Sequence, residues 1–182
     1  MPTIYRQAGI GDKAHALLLT IVPYVAFLFY SIIPIYLVDR VGRRFLYLIS
    51  SLAMTIIMSM LGFVFIIRMS SWPVVAILSL TPAPHAVGVG ALFWVVISEM
   101  FPTRIRAKAM SLCTIILWIG CYLAIYMTPI LFDLSQRLFN VPSGVFFLSA
   151  TVSFASFFFL LRMLPETKGK SLEQIGSSWH SA

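Results

Sequence analysis

Charge is what this chain has least of. Asp, Glu, Lys and Arg make up 10% of its 182 residues, against roughly a quarter in a soluble domain. With 60% hydrophobic residues and a mean hydropathy of +0.95, a soluble domain around one core is excluded. Strict apolar–polar alternation over about ten residues is also missing, which excludes the strands of a membrane barrel. Cysteine is limited to Cys113 and Cys121 within one apolar run. Eight residues of helix separate them by about 12 Å, beyond disulfide reach, so both read as small apolar fillers. Met1–Lys13 (MPTIYRQAGIGDK) has no apolar core behind a basic start and is not read as a secretory signal. No metal-ligand spacing or nucleophile–base set occurs. GIGDK lacks both the spacing of a phosphate loop and a strand before it. Neither an enzyme nor a cofactor is expected.

What is there is apolar and long. Residues Ala14–Val38, Phe45–Ile67, Trp72–Ser98, Ala109–Phe132 and Val141–Leu161 contain no Asp, Glu, Lys or Arg. Each reaches the roughly 20 helical residues needed to cross a hydrocarbon core. The expected fold is an all-α membrane protein with five transmembrane helices in a lipid bilayer. Residues 14–164 form the transmembrane part (14–38, 45–67, 72–98, 109–132, 141–161), after a short 1–13 segment and before a 165–182 tail. In the tail, Ser171 with Gln174 three residues later is a capping-box pattern. Glu173 in the first turn suits the helix dipole, so a short helix is expected there.

The net charge of +7 takes its meaning from where the cations lie. Successive spans alternate sides. Arg40, Arg43, Arg44, Arg104, Arg106, Lys108, Arg162, Lys168 and Lys170 fall on one side; Arg6, Lys13, Arg68 and Arg137 fall on the other. Short cytoplasmic loops collect Lys and Arg. The larger set marks the cytoplasmic side, not a nucleic-acid patch. The tail is expected in the cytoplasm, in a multi-pass protein of the plasma or inner membrane.

The third run is irregular: SLTPAPHAVGVGALFW places Pro82, Pro84, Gly88 and Gly90 within nine residues. Proline removes a backbone donor. Non-ideal helix at membrane depth survives only where protein or a water-filled cavity covers it, so this span is the candidate to line a pathway. His85 lies inside it, and an intramembrane ionisable group is a functional candidate. Charge returns in two loops on one side, DRVGRR (Asp39–Arg44) and EMFPTRIRAK (Glu99–Lys108). Asp39 and Glu99 each follow the C-terminal end of a span, the wrong sign for the helix dipole. Glu99 is expected to pair with Arg106 across Pro102 or with Arg43 and Arg44, and Asp39 to join the same cluster.

These residues carry a resemblance. DRVGRR, EMFPTRIRAK and PETKGKSLEQI, in that order and after the right number of spans, resemble the loops after the eighth, tenth and twelfth helices of sugar porters of the major facilitator superfamily. MPTIYRQAG resembles the end of the seventh helix and the loop after it. The resemblance implies helices eight to twelve of a twelve-helix, two-half fold. The chain is then a fragment or partial transporter whose partner is the N-terminal half, because five helices cannot enclose the cavity between halves. It implies transport of a sugar, polyol or related small solute by alternating access. Trp94, Trp118 and His85 would contact substrate, and Asp39, Arg43, Arg44, Glu99 and Arg106 would form a cytoplasmic gate of ion pairs. Phe27, Leu117 and Cys121 depart from the asparagines that glucose transporters place there. Proton coupling stays open, since the acid that serves it lies in the other half. An organic-acid or ion carrier of the same superfamily, or a half-transporter acting as an interaction partner, are the alternatives.

The cation distribution predicts that a cysteine at Ser181 reacts with impermeant thiol reagents only from the cytoplasmic side of sealed vesicles, and one at Gly11 only from the opposite side. Labelling of Ser181→Cys from outside would reverse the topology.

Overall fold

The computed structural model describes residues 13–67 and 71–164. The expected tail helix around Ser171–Gln174 and the segment 1–12 lie outside the described residues. The helices are α1 (Lys13–Tyr30), α2 (Ile33–Val41), α3 (Arg43–Ile66), α4 (Ser71–Leu80), α5 (Gly90–Met100), α6 (Arg106–Phe139) and α7 (Gly144–Met163). A helical turn at Pro82–Pro84 and a π-helical segment at His85–Val89 join α4 to α5. Five stretches among the described residues are long and apolar enough to span a membrane.

The first span is two helices because Pro34 cannot donate to the Tyr30 carbonyl. At the break the Ser31 hydroxyl donates to the Leu28 carbonyl at 2.8 Å. The DRVGRR segment, expected as a loop, is almost entirely helical. Asp39 and Arg40 end α2, Arg43 and Arg44 begin α3, and Gly42 alone turns the chain, at φ 98°. That left-handed angle favours glycine. The last long loop is likewise shorter than the charge pattern suggested, since α6 continues through Asp133 and Arg137 to Phe139. Asn140 ends it at φ 56°. The Ser135 hydroxyl donates to Val141 O at 2.8 Å and accepts from the Gly144 amide at 3.0 Å, so one side chain holds the turn into α7.

In the third span Pro82 leaves the Leu78 carbonyl without its helical donor. The Thr81 hydroxyl supplies one at 2.7 Å. After Pro84 the backbone widens to the π form, closed by the Gly90 amide on His85 O. Hydrocarbon offers the backbone no partner, and this local repair lets two prolines sit inside a span.

Helix α3 packs against α7 along much of its length and against the π segment on another side, while α6 touches mainly α7. Ser51 donates to the Ser153 carbonyl at 3.0 Å, an α3–α7 hydrogen bond inside the span. One apolar cluster, including Leu61, Val74, Leu78 and Phe146, joins α3, α4, α6 and α7. A second, of Leu46, Tyr47, Leu92, Val96 and Leu164, joins α3 and α5 at the opposite end of α3.

Close approach of the π segment to α3 depends on Gly88. A Cβ there would overlap the Ser50 side chain at both Oγ and Cβ. Gly88→Ala is therefore expected to destabilise the bundle by about 1–3 kcal/mol, the range for overpacking, read as a lower unfolding midpoint in detergent. At Gly120 a Cβ would meet nothing within 4 Å, and Gly120→Ala should leave the midpoint unchanged or higher. Ser50→Gly should restore part of the Gly88→Ala loss.

Candidate functional site

At one end of the bundle the two charged motifs meet. Arg43 opens α3 and Glu99 sits in the last turn of α5. A cation at a helix N-terminus and an acid at a C-terminus each oppose the local dipole. The two half-buried side chains are brought together, Arg43 Nη2 to Glu99 Oε1 at 3.4 Å, so each supplies the counter-charge the other's helix end lacks. The second apolar cluster lies beneath them, on the same two helices.

Arg44, next in sequence, points elsewhere. Its Nη2 donates to the Leu161 carbonyl at 2.7 Å. That carbonyl is among the last of α7 and has no intrahelical donor, and a cation there agrees with the dipole. The adjacent arginines thus tie the start of α3 to the ends of two different helices. Spacing grouped Arg44 with the ion pairs, and its carbonyl partner was not foreseen. The signal available was an arginine pair opposite a span end rich in unsatisfied carbonyls. Arg106, the other cation considered for Glu99, donates from Nε to Phe101 O at 3.3 Å. Its Nη2 is buried with no hydrogen-bond partner among the described residues. Asp39 lies in α2, with its side chain outside the described residues.

The three residues considered for solute contact are spread along two spans. His85 begins the π segment, its ring centroid 6.2 Å from that of Phe27 in α1. Its Nε2 would be 2.9 Å from a Cβ at Gly90, so the glycine makes room for the imidazole. His85 also borders a cavity of about 370 Å³ between α3, the π segment and α7, with Tyr47, Ser50, Ser51, Ser153 and Ser156. Trp94 is on α5, 41% exposed and edge-on to Phe93 at 5.1 Å. Trp118 is on α6, 65% exposed. Neither tryptophan borders the cavity at His85. No group of three or more metal-ligating side chains occurs among the described residues.

A five-helix bundle of this shape is part of a major facilitator superfamily fold. It matches a doubly tryptophan-substituted variant of XylE with a TM-score of 0.89 at 27% identity, over 98% of this chain and 38% of that one. The family model described as "Sugar (and other) transporter" matches residues 1–179, and the chain belongs to that family. It is 33% identical over 179 residues to the arabinose-proton symporter of Bacillus subtilis, covering 98% of this chain and 37% of the relative. It is 30% identical over 181 residues to the D-xylose-proton symporter of Escherichia coli, covering 98% and 36%. The chain therefore spans little more than a third of the length of these relatives.

The ion pair generates a double-mutant cycle. Arg43→Gln and Glu99→Gln should each lower stability in detergent by about 1 kcal/mol, as for a partly exposed pair. The double variant should lose no more than the worse single, because each substitution removes the same contact. Fully additive losses would show that the two side chains do not interact.

Proposed function

We propose that the chain is helices eight to twelve of an alternating-access transporter that moves a sugar, polyol or related small solute across a membrane, with its C-terminus in the cytoplasm. The observation that carries the reading is the contact between the two motif segments, Arg43 to Glu99 at 3.4 Å, within a chain of the sugar (and other) transporter family. The pair lies at the end of the bundle where most cations gather. It joins the start of α3 to the end of the span that carries the π-helical segment. A contact of this kind holds helix ends together while closed and is released at small cost when they part, as two-state gating requires. Arg106 and Asp39 belong to the same end and complete the gate. Trp94 and Trp118 offer flat apolar faces for a sugar ring, and His85 a hydrogen bond. The relatives are named as arabinose–proton and xylose–proton symporters, which favours a pentose-like solute and proton coupling. The acid that carries the proton belongs to the N-terminal half, the partner this chain needs.

Reconstitution tests the reading. The chain alone in liposomes should give no saturable uptake of labelled arabinose or xylose. Co-expression with an N-terminal seven-helix segment of a relative should restore it. In that assembly Glu99→Gln should cut uptake while leaving membrane insertion intact. If networked at the helix ends, the loss of about 1–3 kcal/mol corresponds to a 5- to 150-fold shift between states. Uptake at the parent rate would remove the gate, and saturable uptake by the chain alone would remove the requirement for a second half.

A further inference from the structure

The cavity at His85 has the shape of a trough. Its α3 wall runs from Tyr47 through Ser50 to Met54, one stripe at helical spacing about 10 Å long. Its α7 wall runs from Ser153 through Ser156 to Leu160, a matching stripe of about 10 Å. The Ser51 hydroxyl, donating to the Ser153 carbonyl, ties the two walls together. Pro84, His85 and Val89 of the third span line the remaining side. Two straight stripes side by side match a rod about two helical turns long better than a compact solute.

The lining is suited to protein. Ser50 is 2% exposed, and its side chain makes no hydrogen bond. Ser59 and Ser79, by contrast, bond back to the preceding turn. A lipid tail over the trough would leave the Ser50 hydroxyl unsatisfied. The π segment adds a second demand. Irregular backbone at membrane depth has to be covered, and His85 and Val89 stand exposed. Ser50, Ser51, Ser153 and Ser156 are small, as close helix–helix contacts in membranes require.

The remaining question is which helix. A two-half, twelve-helix fold gives six helices to each half, and this chain supplies five of one half. It spans little more than a third of its relatives' length. The absent member of the half directly precedes α1. Twelve residues lie ahead of Lys13 and reach at most about 40 Å. Helix α1 already touches the trough's third side, with the Phe27 ring 6.2 Å from that of His85.

We propose that the trough between α3, the π segment and α7 seats the seventh helix of the transporter, with its small residues against the serines and a hydrogen-bonding group level with Ser50. The seated helix covers the serine walls and leaves His85, at the rim beside Phe27, open to solute. The inference rests on the reading of the chain as helices eight to twelve and assigns the surface that receives the missing one.

The test joins the seven N-terminal helices of the Bacillus subtilis arabinose-proton symporter in frame ahead of Met1, with Cys113→Ser, Cys121→Ala and the added segment free of cysteine. Ser156→Cys is then paired with a single cysteine moved through successive positions of the seventh helix. Copper phenanthroline should close a disulfide at positions on one face of that helix. Phe158→Cys, about 160° around α7 from Ser156, should give none. No disulfide from Ser156→Cys, or as much from Phe158→Cys, overturns the proposal. A disulfide from Ser156→Cys that joins two copies assigns the trough to a dimer and overturns it as well. In a second measurement the chain is co-expressed with the tagged seven-helix segment as a separate piece. Ser153→Trp fills the trough and should abolish co-purification, and Phe158→Trp should not. Co-purification undiminished by Ser153→Trp overturns the seat. Both readouts are independent of uptake, so a fused chain that carries no solute counts against the transport reading alone.

Discussion

The constraint on which the rest depends is that hydrocarbon hydrogen-bonds nothing, so every backbone group in a span must be satisfied within the protein. It makes the five apolar runs helical, whatever their individual propensities. It also explains the side chains found at two of the proline breaks. Thr81 gives its hydroxyl to the carbonyl that Pro82 abandons. The Ser31 hydroxyl is bonded to the Leu28 carbonyl at the break before Pro34. Other β-hydroxyl residues of the spans satisfy themselves, by adding a second hydrogen bond to a carbonyl one turn back. Ser59, Ser79, Thr114, Thr128 and Ser149 each return a hydrogen bond to the preceding turn.

The same constraint concentrates charge at the helix ends, where its sign then matters. Arg43 and Glu99 are each placed against a dipole and compensate one another, whereas Arg44 agrees with the dipole at the end of α7. The two arginines therefore differ in kind. Arg44 joins α3 to α7, helices already packed together over a long interface with the Ser51–Ser153 hydrogen bond inside it. Arg43 joins α3 to α5, which sits at the end of an irregular span. A contact that reinforces an extensive interface resists motion. A contact that holds the end of a kinked element is placed where a small local change swings the rest of that element. Of the two, Arg43–Glu99 is the contact that fits the proposed gate.

Sequence made the helical class and the number of spans legible, because charge-free runs of more than twenty residues have one physical outcome in a bilayer. The irregularity of the third span was legible in Pro82 and Pro84, and the meeting of the charged segments in the wrong-sign acid at Glu99. Boundaries were less so. Charged residues were read as loop, yet Arg43, Arg106 and Asp133 all lie in helices, since a helix can extend past the hydrocarbon while its side chains reach water. Which arginine takes Glu99 was not decidable, as it depends on the sharp turn at Gly42. The Arg44 contact to a backbone carbonyl was signalled only by an arginine pair lying opposite a span end. Nor did the sequence bring the solute candidates together: His85 borders the cavity between α3, the π segment and α7, and the tryptophans do not.

That separation has a physical consequence for how a solute could be held. Five helices leave α6 touching little besides α7, so Trp118 faces open space, and Trp94 on α5 is also partly exposed. A polar solute leaving water must replace its hydrogen bonds at nearly every hydroxyl, and these surfaces supply few. Aromatic faces give adhesion without fixing orientation. Orientation, and with it selectivity, requires donors and acceptors, and among the described residues these gather at the cavity of Tyr47, Ser50, Ser51, His85, Ser153 and Ser156, apart from both tryptophans. In the proposed transporter the tryptophans would supply adhesion and the cavity at His85 the hydrogen bonds, two surfaces that this bundle keeps apart.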